Sequence, residues 1–161
     1  MKYTKIRDVK DPTGDRLADC GIDFFIPNDW NNGKPMRLYI GQQVNIPSGI
    51  KVKVPQGHSL TYDNKSGVAL KKGLVVGACV VDSSYRGECH LNLFKVVRGK
   101  EDKRDWLGRY YTTLTPGEKI VQGVLYKIST ESLNKISEKT YEQGPVTKRG
   151  AKGFGEGTGT K

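Results

Sequence analysis

Apolar and polar residues alternate along most of this chain with the two-residue period of β-strands. Arg37-Leu38-Tyr39-Ile40 and Val44-Asn45-Ile46 are short runs rich in strand formers, and Pro47-Ser48-Gly49 is a turn signal. Ile50-Lys51-Val52-Lys53-Val54 then alternates strictly, and Pro55-Gln56-Gly57-His58 marks a second turn. Leu74 to Val81 is almost continuously apolar with Gly77-Ala78 at its centre, which reads as a buried strand or hairpin arm. His90 to Val97 alternates again, and Pro116-Gly117 introduces Ile120 to Ile128. Closely spaced turn signals with few helical patterns predict an all-β barrel or sandwich. Ser129 to Glu138 is the best helix candidate, with Ser or Thr available as a cap.

Two segments break the pattern. Gly99 to Gly108 is dense in charge and reads as a surface loop inserted between strands. From Gly144 onward Gly, Lys and Thr dominate, and after Val146 the apolar residues are Ala151 and Phe154. Such a tail has too little apolar area to order itself, so it must stay disordered or fold onto something. The expected organisation is a core over residues 1–143 and a Gly-rich C-terminal arm over 144–161.

Composition narrows the class. The chain has 161 residues, the length of one domain, and 20 glycines beside 35% apolar residues suit a globular protein. No run approaches the ~20 apolar residues of a membrane span, and the N-terminus has no apolar signal core. A soluble, intracellular (cytoplasmic) protein without a membrane partner is expected. Cys20, Cys79 and Cys89 have no metal-ligand spacing and read as small thiols.

Lys and Arg number 27 against 17 acidic residues, a formal charge of +10. The basic residues are scattered and often alternate with apolar ones, as on the solvated face of a strand. A small polyanion such as a nucleoside triphosphate uses that charge with fewer contacts than a polynucleotide needs.

Four polar stretches could carry chemistry. Asp82-Ser83-Ser84-Tyr85-Arg86-Gly87 follows an apolar strand and predicts a hairpin loop. Asp63-Asn64-Lys65-Ser66-Gly67 is a polar turn offering a cation, a hydroxyl and backbone N–H groups to an anion. Gly117 to Gln122 ends an apolar pattern on an exposed amide. Arg149 to Gly159 sets one Phe among glycines, free to fold over a flat ligand. Each stretch has a bland alternative as a turn or a solvated tail.

In order along the chain, these stretches resemble a known set. Ala18-Asp19-Cys20-Gly21-Ile22-Asp23-Phe24, Lys65-Ser66-Gly67, Val81 to Gly87, Gly117 to Gln122 and Arg149 to Gly159 are similar to the five ordered motifs of the trimeric dUTP pyrophosphatases, or dUTPases. The resemblance implies a distorted antiparallel β-barrel or jelly roll, assembled as a homotrimer. Its active sites would draw on several subunits, with the C-terminal arm closing over each.

It implies hydrolysis of dUTP to dUMP and pyrophosphate, which keeps uracil out of DNA and supplies dUMP for thymidylate synthesis. Asp82 matches the general base that directs water at the α-phosphorus, and Tyr85 the ring beneath the deoxyribose. Lys65, Ser66, Gly67 and Gln122 match the phosphate contacts. The backbone of Leu74 to Val81, with Gly77, Ala78, Cys79 and Val81, matches the segment that reads uracil. Asp23 matches a carboxylate that holds waters of the substrate's Mg²⁺. In the arm, Phe154 and Gly155 match the stacking element, and Arg149 and Thr158 the contacts to the terminal phosphate.

Some residues depart from the family's pattern. Lys65 stands where Arg is usual, Cys79 replaces a Gly, and Glu156 replaces a Ser, with an extra Gly beside it. A dCTP deaminase on the same barrel would need a base ten residues after Asp82, where this chain has Asn92. A non-catalytic module holding nucleic acid or a regulator is the alternative from another class. Nucleic acid is not required for the expected reaction.

Overall fold

The computed structural model describes residues 1–14, 19–129, 131–145 and 147. Twelve strands are found among them: β1 (Lys2–Lys5), β2 (Gly21–Phe25), β3 (Met36–Tyr39), β4 (Gln43–Pro47), β5 (Ile50–Lys53), β6 (His58–Asp63), β7 (Leu74–Val76), β8 (Val80–Asp82), β9 (His90–Lys95), β10 (Lys103–Arg104), β11 (Tyr110–Leu114) and β12 (Lys119–Lys127). All pair antiparallel, in four sheets ordered β1-β5, β10-β11-β3, β2-β12-β6-β8 and β4-β9-β7. The expected antiparallel β architecture is present, but no closed barrel forms among the described residues. No helix among them is long and apolar enough to cross a membrane.

The chain divides into two units, 1–129 and 130–161. The first holds every described strand and one core. Phe24, Ile26, Ile46, Leu60, Leu91 and Leu114 are essentially inaccessible, and each belongs to or flanks a strand whose alternation points it inward. In the second unit Glu138–Glu142 form a short helix. The Ser137 hydroxyl caps it, accepting the Thr140 N–H at 3.2 Å.

Three expectations fail instructively. The helix expected over Ser129 to Glu138 is absent at 131–137; helix begins only where Ser137 can cap it. The run Leu74 to Val81 is two strands in different sheets, because the chain leaves the ladder at Gly77-Ala78-Cys79. A Cβ at Gly77 would collide with the Asn92 amide and the Phe94 ring, so only glycine lets the backbone pass there. Asp82 to Gly87 is not a hairpin loop either. It links β8, paired to β6, with β9, paired to β4 and β7, and so crosses from one sheet to another.

The charged insertion is also more ordered than its composition suggests. Lys103–Arg104 pair with Tyr110 and Tyr111, making Gly99–Gly108 part of a small hairpin. Its base is pinned by a fully buried ion pair, Lys95 Nζ to Asp102 Oδ2 at 2.6 Å. Lys95 also donates to the carbonyls of Lys72 and Val97, both at 2.7 Å, so its ammonium charge is well solvated by the protein.

Candidate functional site

Asp82 ends β8 with its side chain exposed, opposite Ser59 of β6. The turn that follows is held by its own backbone and by one cation. The Tyr85 N–H donates to Asp82 O at 3.1 Å, and Arg86 donates to Ser83 O and Tyr85 O at 2.6 and 2.7 Å. Tyr85 keeps a part-exposed ring whose hydroxyl donates to Glu88 O at 2.9 Å, which fixes the orientation of the ring. Asp82 and Tyr85 line one small cavity of about 190 Å³ with Ala78, Cys79, Val81 and Tyr62. The geometry thus brings five sequence-predicted residues together around a hollow of nucleobase scale. Burial in its floor pushes the Tyr62 phenol well above its ordinary pKa, so this hydroxyl stays neutral.

Sequence reasoning missed a residue that shapes this cavity. Asn92 on β9 accepts the Ala78 N–H on its side-chain oxygen at 3.0 Å and the Gly77 N–H on its backbone carbonyl at 2.9 Å. It holds the backbone of Gly77-Ala78-Cys79 in its departure from the ladder. In the sequence Asn92 stood out only as the amide where a deaminase would carry its base.

A second cluster forms at the other end of β6. The Asp63–Asn64–Lys65 turn leads directly into a helix, α1 (Ser66–Lys72), so Ser66 and Gly67 sit in its first turn. Gln122 lies opposite both Asp23 of β2 and Asp63 of β6, and its side chain donates to Asn64 O at 3.1 Å. A register shift between Lys119 and Val121 lets Ile120 and Val121 both turn inward. Gln122 then emerges on the same sheet face as Asp23.

Asp23 is the electrostatic centre of this cluster. Lys65 Nζ reaches Oδ1 at 2.5 Å and Lys119 Nζ reaches Oδ2 at 2.6 Å. Partial burial by itself would raise the Asp23 pKa. The hydrogen bonds from Lys119 and Lys65 outweigh that and hold the carboxyl below its usual range. Lys119 was not singled out from sequence, although it stands inside the fourth motif. Only the fold shows that its ammonium meets that of Lys65 on one carboxylate.

Asp82 and Gln122 do not meet within one chain, although the two clusters touch where the Asn64 side chain accepts the Val76 N–H at 2.7 Å. Ser59, opposite Asp82, and Asp63, opposite Gln122, point to the same face but lie four residues apart on β6. That separation is about 13 Å along the strand, before the lateral offset between β8 and β12. Arg149, Phe154, Gly155 and Thr158, together with Glu156 and Ala18, lie outside the described residues.

No group of three or more His, Cys, Asp or Glu side chains that could cage a metal occurs among the described residues. The donor set nonetheless fits a cation that arrives with its own waters. Asp23 is ionised, and each of its oxygens keeps a lone-pair direction beyond the one its lysine uses.

Comparison with known proteins points to the dUTPases. The dUTPase model matches residues 9–158. The deoxyuridine 5'-triphosphate nucleotidohydrolase of Chlamydia muridarum is 32% identical over 127 residues, covering 78% of this chain and 77% of that protein. The Chlamydia abortus protein of the same name is 31% identical over 134 residues, 81% of each. Among solved structures, a Staphylococcus bacteriophage 80alpha dUTPase mutant with dUpNHpp superposes with a TM-score of 0.75 at 22% identity, over 97% of this chain and 96% of that one. The dUTPase of phage phi11 of S. aureus gives 0.68 at 20% identity, over 85% and 96%. At these identities the two structures speak to the fold.

Proposed function

Since the chain belongs to the dUTPase family and is a dUTP diphosphatase, we propose that it hydrolyses dUTP to dUMP and pyrophosphate through water directed by Asp82 at the α-phosphorus. The observation that carries this reading is the small cavity where Asp82 and Tyr85 stand beside the backbone of Ala78, Cys79 and Val81. A base entering it meets a backbone that Asn92 holds fixed at the strand break, so this wall of the cavity is presented without side-chain freedom. The sugar then rests on the Tyr85 ring, which leaves no room for a 2′-hydroxyl. Asp82 accepts a proton from the attacking water at the sugar's phosphate end.

The triphosphate requires the second cluster. Lys65, the Ser66 hydroxyl, the Gly67 backbone N–H and the Gln122 amide supply donors, and Lys119 adds a second cation. Mg²⁺ bound with the substrate would neutralise phosphate charge, and Asp23 would hold its waters. Phosphates arriving beside Asp23 offer Lys65 and Lys119 an alternative anion, so both lysines can pivot to substrate without losing a partner.

The gap along β6 supports a site completed between chains, with the Asp82 cluster of one copy facing the Asp23 cluster of another. A homotrimer satisfies this with three equivalent sites. Arg149, Phe154, Gly155 and Thr158 are the arm residues that would close over base and phosphate. The deaminase alternative loses ground because the carboxamide of Asn92 cannot abstract a proton, and its oxygen instead holds the Ala78 N–H.

The test is pyrophosphate release from dUTP, dTTP, dCTP and UTP with and without Mg²⁺. Turnover confined to dUTP and dependent on Mg²⁺ is expected. Ammonia release from dCTP, or equal turnover of UTP, would overturn the reading.

A further inference from the structure

The sheet ordered β10-β11-β3 takes no part in either cluster, yet it carries a dense array of cations and rings. Its register puts Lys103, Tyr111 and Tyr39 in one row, with Arg37 two residues along the same face. The Tyr39 and Tyr111 centroids are 5.5 Å apart. The Arg37 guanidinium lies 4.7 Å from the Tyr111 ring, and Arg109 lies 4.7 Å from that of Tyr39. At the sheet's end Arg98 and Arg104 flank Tyr110 at 4.1 and 5.1 Å.

The acids of this region are already committed. Asp102 pairs with Lys95, Asp105 with Arg109 and Glu101 with Lys71. Arg37, Arg98, Lys103 and Arg104 are exposed, and none has a carboxylate within ion-pair distance among the described residues. Stacked guanidinium groups of this kind keep their edge donors available while their faces are held, which suits phosphate oxygens.

The hairpin tip adds a different chemistry. Trp106 is 88% exposed, with Leu107 beside it at 54%. The tip is rigid: the buried Asp105 carboxylate accepts from Leu107 N at 3.0 Å, Arg109 N at 2.9 Å and Arg109 Nε at 2.8 Å. A large flat ring held out in water on a braced turn gains most from a flat partner.

We infer that the β10 edge of this sheet binds single-stranded nucleic acid, with Trp106 stacking on an unpaired base, Arg37 and Lys103 receiving phosphates on one face and Arg98 and Arg104 on the other. Cations spaced among aromatic platforms are the chemistry that single strands require, whereas a duplex hides the base faces that Trp106 would use. The surface belongs to a different sheet from Asp82 and Gln122, so its occupancy is separable from dUTP turnover.

The intact protein is titrated by fluorescence anisotropy against labelled oligo(dT), oligo(rU), a duplex of equal length and poly-glutamate, with dUTP turnover measured in parallel. Single strands should bind at least tenfold tighter than the duplex, with affinity falling steeply in salt. Trp106→Ala should weaken that binding about tenfold, the worth of one stacked base, and Arg37→Ser with Arg104→Ser should flatten the salt slope. Turnover should be unchanged in all of these variants. Equal affinity for duplex, single-strand binding indifferent to Trp106→Ala, or poly-glutamate binding as tightly as oligo(dT) would overturn the inference.

Discussion

Asp82→Asn keeps the side chain's shape at the end of β8 but removes its ability to take a proton. Turnover should fall about 10²- to 10⁴-fold with dUTP binding retained, and steady-state kinetics beside a binding titration separates the two. Tyr85→Ala should raise the UTP-to-dUTP ratio of kcat/KM, because the ring that crowds a 2′-hydroxyl is gone; an unchanged ratio would remove Tyr85 from sugar selection. Asp23 carries a pH signature. Its folded pKa is depressed, so its bonds with Lys65 and Lys119 stabilise the fold fully above the ordinary carboxyl value of 3.8 and lose that effect as pH falls through the lower folded value. The difference in urea midpoint between wild type and Asp23→Asn should therefore be largest near neutral pH and shrink in acid. At this scale the family was legible because the types and order of its motif residues are specific. Lys119 and Asn92 were not, since a lysine and an amide on strands announce nothing until the register brings them to Asp23 and Ala78.

Among the elements, strands with strict alternation were read correctly because one buried face sets their pattern. The errors fall where the backbone changes sheets or where a helix is short. Leu74 to Val81 looks continuous in hydrophobicity, but the chain leaves the ladder where Asn92 takes the Gly77 and Ala78 N–H groups, which no periodicity encodes. Ser66–Lys72 forms a helix within a stretch whose opening residues read as a turn. Its end is fixed by Gly73 in the left-handed region, φ 60°. The hairpin across Gly99–Gly108 depends on Lys95–Asp102, two charges whose burial composition cannot reveal. Asp102→Ala should destabilise the fold by about 3–5 kcal/mol, because it strands a buried ammonium. A Lys95→Met/Asp102→Leu pair should recover most of that loss in urea unfolding. If the single substitution were as mild as a surface change, the pair would not be anchoring the hairpin.

For the whole molecule, the antiparallel β architecture was legible from periodicity, whereas the division into four sheets was not, because sheet membership is decided by long-range pairing. The separation of Asp82 from Gln122 along β6 was likewise invisible in a linear string of motifs. With it, we expect the site to be completed between chains. The most direct measurement co-expresses Asp82→Asn with a Ser66→Ala/Gln122→Ala variant, each impaired alone, and follows pyrophosphate release from dUTP by the purified mixture. If each site joins the Asp82 cluster of one chain to the Asp23 cluster of another, random assembly should restore about a quarter of wild-type activity. Activity no higher than that of the separate variants would place both clusters of a working site in a single chain and rule out a site completed between chains.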